Sequence, residues 1–106
     1  MVGNTDEIVR TGQEYSKLLQ EIMQINSIWI FGSRIAGTEK FDSDLDIAVV
    51  SNEFETDFLT AFRKANRVLY NLETPFDIEI HGFYPREFEQ DPGMAQNIQK
   101  HGLQVS

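Results

Sequence analysis

Residues 27–51 read SIWIFGSRIAGTEKFDSDLDIAVVS, two apolar runs separated by a polar, glycine-containing segment. SIWIFG (27–32) is short, β-branched, aromatic and closed by glycine, the pattern of a buried strand. SDLDIAVVS (43–51) reads as a second strand, and side-chain alternation puts Leu45, Ile47 and Val49 on one face and Asp44, Asp46 and Ala48 on the other. Two carboxylates then share a face, about 7 Å apart at their Cα atoms for a rise of about 3.3 Å per residue. Between the strands, Ser33 to Ala36 fits a helical turn, and Gly37 with TEKFDS fits an exposed loop.

Outside this segment the periodicity predicts helices and one more clear strand. Ile8, Tyr15, Leu18, Leu19, Ile22, Met23 and Ile25 recur at helical spacing over residues 5–25, with Gly12 weakening the first turns. Phe58, Ala61, Phe62, Ala65, Val68, Leu69 and Leu72 predict one long amphipathic helix from Phe54 or Thr56 to Leu72, with Glu53, Glu55 and Asp57 as acids of its first turn. Pro75 closes it. FDIEIHGF (76–83) alternates Phe76, Ile78 and Ile80 against Asp77, Glu79 and His81, a strand with one apolar and one polar face. Asp91-Pro92 reads as an N-cap followed by Pro at the first helical position, and that helix should end near Gly102. LQVS either adds a short last strand or trails away. The expected fold is α/β (α+β), a single domain over residues 1–106 in which helices cover a small sheet on one side.

Composition sets bounds on function. The chain has 106 residues, enough for one core, and a hydrophobic fraction of 41% that favours a folded domain over disorder. Its 17 acidic and 9 basic residues give a net charge of −8. No basic cluster offsets this, so direct binding to nucleic acid or to an anionic membrane is disfavoured, whereas a basic protein or a cation-bridged ligand is not. With no cysteine, disulfides and cysteine-based zinc sites are excluded. MVGNTDEIVR lacks the basic and apolar regions of a signal peptide and no window spans a membrane, so the expected location is the cytoplasm.

An Asp-x-Asp at a strand end is by itself ordinary, because acidic residues commonly flank strands. Held on one face, however, such carboxylates repel unless they are exposed or share a divalent cation, which prefers hard oxygen ligands. Gly32-Ser33 directly after the first strand supplies the complementary half: backbone N–H groups and a hydroxyl able to converge on phosphate. Phosphate donors beside metal-binding carboxylates match a metal–nucleoside triphosphate. Arg34 either reaches a phosphate or points to solvent. His81 reads as structural or solvent-facing, and Trp29 and the phenylalanines as core.

The run GSRIAGTEKFDSDLDIAVV resembles the signature of the minimal nucleotidyltransferases of the DNA polymerase β superfamily, in particular the antitoxin type. That signature is Gly-Ser, ten residues, Asp-x-Asp; here Arg34 to Ser43 are the ten between Ser33 and Asp44, and Asp46 follows. FDIEI and the trailing IQKHGLQV are similar to the family's last aspartate-bearing strand and closing helix, so the resemblance runs from about Ile25 to Val105. It implies a mixed sheet of the polymerase β palm type and transfer of a nucleoside monophosphate with release of pyrophosphate. Gly32, Ser33 and Arg34 would then bind the nucleotide, and Asp44, Asp46 and Asp77 would be the catalytic, metal-binding carboxylates for two Mg²⁺ ions, with ATP as substrate. Asp77 is the residue the resemblance favours for accepting the proton of the attacking hydroxyl, with Glu79 on the same strand face as the alternative third carboxylate.

A chain of this length leaves little to shape an acceptor site. The resemblance implies an acceptor brought by a partner: a tyrosine of a HEPN-domain ribonuclease toxin, neutralised by adenylylation. An acidic antitoxin against a basic RNA-cutting toxin is electrostatically sensible. The alternatives are nucleotidyl transfer to a small hydroxyl compound such as an aminoglycoside, or a non-catalytic antitoxin that binds its partner.

Overall fold

The computed structural model describes residues 2–32 and 44–106. Among the described residues, four strands form one mixed sheet: β1 (Ser27–Phe31), β2 (Leu45–Val50), β3 (Ile78–Phe83) and β4 (Leu103–Gln104), in the order β3-β2-β1-β4. β1 runs antiparallel to β2 and to β4, while β2 and β3 are parallel. The helices are α1 (Val2–Leu19), α2 (Glu53–Thr56), α3 (Phe58–Arg67) with a 3₁₀ turn over Val68–Asn71, α4 (Pro85–Gln90) and α5 (Met94–His101). The small mixed sheet with covering helices is as the sequence predicts, but the cover is two-sided.

Both faces of β2 are buried, which explains why IAVV is apolar at every position rather than at alternate ones. On one face Leu45, Ile47 and Val49 join Ile28, Ile30 and Ile80 beneath Ile8, Tyr15 and Leu19 of α1 and Ala61 and Ala65 of α3. On the other, Ala48 and Val50 pack with Phe83 of β3, Phe88 of α4 and Ala95 and Ile98 of α5, flanked by Trp29 and Phe31. This second layer covers the end of the sheet where β2 and β3 finish. Asp46, Glu79 and His81 lie on the same face toward the end where those strands begin, and remain partly exposed.

Several local differences from the sequence expectation have identifiable causes. α1 stops at Leu19, short of residue 25, and Gly12 sits inside it without breaking it. A Cβ there would lie 2.5 Å from Ile30 Cδ1, so the glycine lets the helix approach β1 closely. The long central helix is divided at Asp57, whose extended backbone (φ −154°, ψ 89°) ends α2 and whose carboxylate accepts the Thr60 N–H at 3.2 Å to start α3. The last helix begins at Met94 with Gly93, not Asp91, as its N-cap, although the Asp91 carboxylate still accepts the N–H groups of Gly93 at 2.9 Å and Ala95 at 3.3 Å. α4 was not anticipated; Pro85 at its start and the Tyr84 N–H donating to Glu87 Oε1 at 3.4 Å define it. LQ pairs with β1 as a short strand. Among the described residues, no helix is long and apolar enough to cross a membrane.

One buried polar contact ties the first helical layer together. Tyr15 is fully buried and its hydroxyl donates to the Ala65 carbonyl at 2.7 Å, linking α1 to α3. Burial pushes the phenol well above its ordinary pKa, so it stays a neutral donor. Tyr15→Phe keeps the ring and removes the bond, and should lower stability by about 1 kcal/mol in urea unfolding. An unchanged midpoint would show that the bond adds nothing to the packing.

Candidate active site

The site grows out of the junction of β1 with β2. Phe31, the last residue of β1, is paired with Asp46, so the chain leaving β1 passes directly over the Asp46 carboxylate. Gly32 is there. Its φ of +103° lies in the region that residues with a Cβ rarely adopt, and a Cβ added to it would stand 2.5 Å from Asp46 Oδ2. Glycine is therefore required twice at this position, by the turn and by the carboxylate beneath it.

Across the sheet, the parallel register pairs Asp46 with Glu79 and Ala48 with His81. Alternation puts all four on the face of Phe31. His81 Nε2 is 3.2 Å from Asp46 Oδ1 and 3.8 Å from Glu79 Oε2, and one ligand atom from each of Asp46, Glu79 and His81 lies within 4.8 Å of the others. The imidazole meets Phe31 edge-on, with ring centroids 5.0 Å apart and planes at 63°, which fixes its orientation. Asp46 and His81 are about one quarter and one fifth exposed, and Glu79 is 61% exposed, so the cluster opens outward along β3.

Of the residues expected from sequence, Gly32 and Asp46 are in contact range of each other, as the motif requires. Asp44 is exposed, one residue before β2. Asp77 is exposed ahead of β3, and its main-chain carbonyl accepts the Leu45 N–H at 2.7 Å. It is Glu79, not Asp77, that faces Asp46. The helical turn and loop expected between the strands, Ser33 and Arg34 among them, lie outside the described residues. Glu79, the alternative to Asp77, and His81 are the residues the structure brings to Asp46. Both were on the polar face of FDIEIHGF by alternation, but only the register of β3 against β2 reveals which of its residues meets Asp46.

Two carboxylates and one imidazole converging beside a glycine without steric bulk fit a divalent cation. A chain of net charge −8 also disfavours an approaching polyphosphate unless a cation intervenes. The geometry gives a prediction for Gly32→Ala. The new methyl must displace the Asp46 carboxylate and strain the turn, so stability should fall by about 1–2 kcal/mol and the nucleotidyl transfer that the family resemblance implies by about a hundredfold. Thermal melts and transfer rates on the same preparation check this, and full activity would show that the carboxylate position is not critical.

The comparisons with known proteins bear on the family and the fold. Residues 13–105 match the family model "Polymerase beta, Nucleotidyltransferase". A 46-residue stretch is 44% identical to the Haemophilus influenzae protein named "Probable protein adenylyltransferase MntA", covering 43% of this chain and 40% of that protein, so the match spans less than half of that relative's length. A crystal structure from Sulfolobus solfataricus, described as a candidate nucleotidyltransferase, superposes with a TM-score of 0.68 at 14% identity over 97% of this chain and 83% of its own, a likeness of fold. With the family match extending over nearly the whole chain, the chain belongs to the polymerase β nucleotidyltransferase family.

Proposed function

We propose that this nucleotidyltransferase moves AMP from ATP to a protein hydroxyl, a tyrosine of a HEPN-domain ribonuclease toxin, and so acts as an antitoxin in the cytoplasm. The observation that carries the reading is the cluster of Asp46, Glu79 and His81 against Gly32, which brings together the first and last residues of the Gly-Ser to Asp-x-Asp motif. The stretch shared with a protein named as an adenylyltransferase supports AMP as the transferred group and a protein as the acceptor.

In this reading Gly32, Ser33 and Arg34 hold the triphosphate, with Gly32 allowing close backbone approach. Asp44 and Asp46 would hold the divalent cations, two Mg²⁺ ions by family resemblance, and the register favours Glu79 over Asp77 as the carboxylate that completes the set. The cations would neutralise charge on the leaving pyrophosphate and lower the pKa of the attacking hydroxyl. Asp46 is held between the Gly32 backbone and His81, so its carboxylate is positioned before substrate arrives. Glu79, more exposed than Asp46, is accessible from solvent and is the group suited to take the proton of an acceptor hydroxyl.

The test is an intact-mass measurement on the protein encoded beside this chain after incubation with ATP, divalent cation and the purified enzyme. A gain of one or more AMP units on a tyrosine supports the proposal. Neutralisation of the partner without a mass change would indicate an antitoxin acting by occlusion, and AMP found only on an aminoglycoside would indicate a small-molecule acceptor.

A further inference from the structure

His81 is not a member of the motif, and its Nε2 nonetheless stands 3.2 Å from the Asp46 carboxylate. We propose that His81 is a metal ligand through Nε2 and that, with Asp46 and Glu79, it makes this position bind Mn²⁺ in preference to Mg²⁺. The proposal rests on the reading of this site as the transferase's cation-holding centre, and not on the identity of the acceptor.

Three observations support it. The first is spacing: donors about 2.1 Å from an octahedral ion stand about 3.0 Å apart in neighbouring positions and about 4.2 Å apart in opposite ones. The measured separations of 3.2 and 3.8 Å, with every atom within 4.8 Å of the others, are close to that range. The second is orientation, because the edge contact with Phe31 holds the ring with Nε2 toward the carboxylates, and the Ala48 side chain opposite His81 is too small to crowd it. The third is donor chemistry. Mg²⁺ takes oxygen ligands and gives up water reluctantly, whereas Mn²⁺ accepts carboxylate and phosphate oxygens and also a neutral imidazole nitrogen. A site with one nitrogen among its donors therefore favours the transition ion.

The experiment uses Mn²⁺ alone with the purified full chain. Electron paramagnetic resonance measures bound Mn²⁺, competition with Mg²⁺ gives the preference, and pulsed measurements on the bound ion report coupling to a directly ligated imidazole nitrogen. The wild type is expected to show that coupling and at least about tenfold preference for Mn²⁺. His81→Ala should lose the coupling and most of the preference. His81→Phe, which keeps the contact with Phe31 but has no nitrogen, should behave like His81→Ala and guards against a result caused by poor folding. If the wild type shows no nitrogen coupling, fails to bind Mn²⁺, or discriminates no better than His81→Phe, His81 is only a hydrogen-bond partner of Asp46 and the proposal fails. Nitrogen ligation without AMP transfer would leave this assignment standing and remove the transfer reading. Transfer supported by Mg²⁺ and unaffected by His81→Phe would do the reverse.

Discussion

Asp46→Asn should lower nucleotidyl transfer by at least about a thousandfold while leaving the melting temperature unchanged or slightly raised. The activity loss corresponds to removing about 4 kcal/mol of transition-state stabilisation, within what cation-assisted charge neutralisation contributes. Asp46 is where three constraints meet: the Phe31 pairing, the Gly32 backbone and the His81 imidazole. Asparagine keeps the shape and can accept a hydrogen bond from His81, but it is a poor cation ligand. The fold should tolerate it, because the side chain is about one quarter exposed and the change removes repulsion between Asp46 and Glu79. Transfer rates and thermal melts on one preparation decide the matter. A variant that folds and transfers at the wild-type rate would remove Asp46 from the machinery.

The second large effect is expected at Glu79. Both Asp77 and Glu79 belong to the polar face of the FDIEI run, and the family resemblance pointed to Asp77. In the sheet, Glu79 is the Cα partner of Asp46, whereas Asp77 lies one side-chain repeat, about 7 Å, further out and ahead of β3. Glu79→Gln should therefore cost at least about a hundredfold in transfer, as for a lost general base, while Asp77→Asn should stay within about threefold of wild type. The two variants are close in exposure and charge, so a general electrostatic effect would move them together. Loss of activity in Asp77→Asn with Glu79→Gln intact would mean that the catalytic row lies one repeat nearer the open end of the strands.

That contrast also shows where the sequence was informative. Alternation identified the two faces of β2 and put Asp46 opposite Leu45, Ile47 and Val49, and the faces stand as expected. What alternation cannot supply is register, because a strand may slide by two residues and keep the same face inward. Hence Asp77 and Glu79 were equivalent until the β2–β3 pairing was known, and His81 lacked its neighbour. The helical breaks were hidden for a different reason: Asp57 lies in an amphipathic pattern that is nearly continuous across α2 and α3, and one cap residue interrupts it. α4 is only Pro85–Gln90, too short for a periodic signal, although Tyr84-Pro85 followed by Glu87 carried a start signal. With α4 unseen, α5 alone was not assigned to the second face, and a one-sided cover followed.

The most direct test of the central claim, that this carboxylate row serves transfer of a nucleotidyl group, is to follow the two ends of ATP separately. ATP labelled on the α-phosphate and ATP labelled on the γ-phosphate are each incubated with the chain, divalent cation and the protein encoded beside it. The account predicts that the α label becomes covalently attached to that protein, that the γ label is released as pyrophosphate, and that both events vanish with Asp46→Asn. Attachment of the γ label, or equal α labelling by wild type and Asp46→Asn, would contradict it.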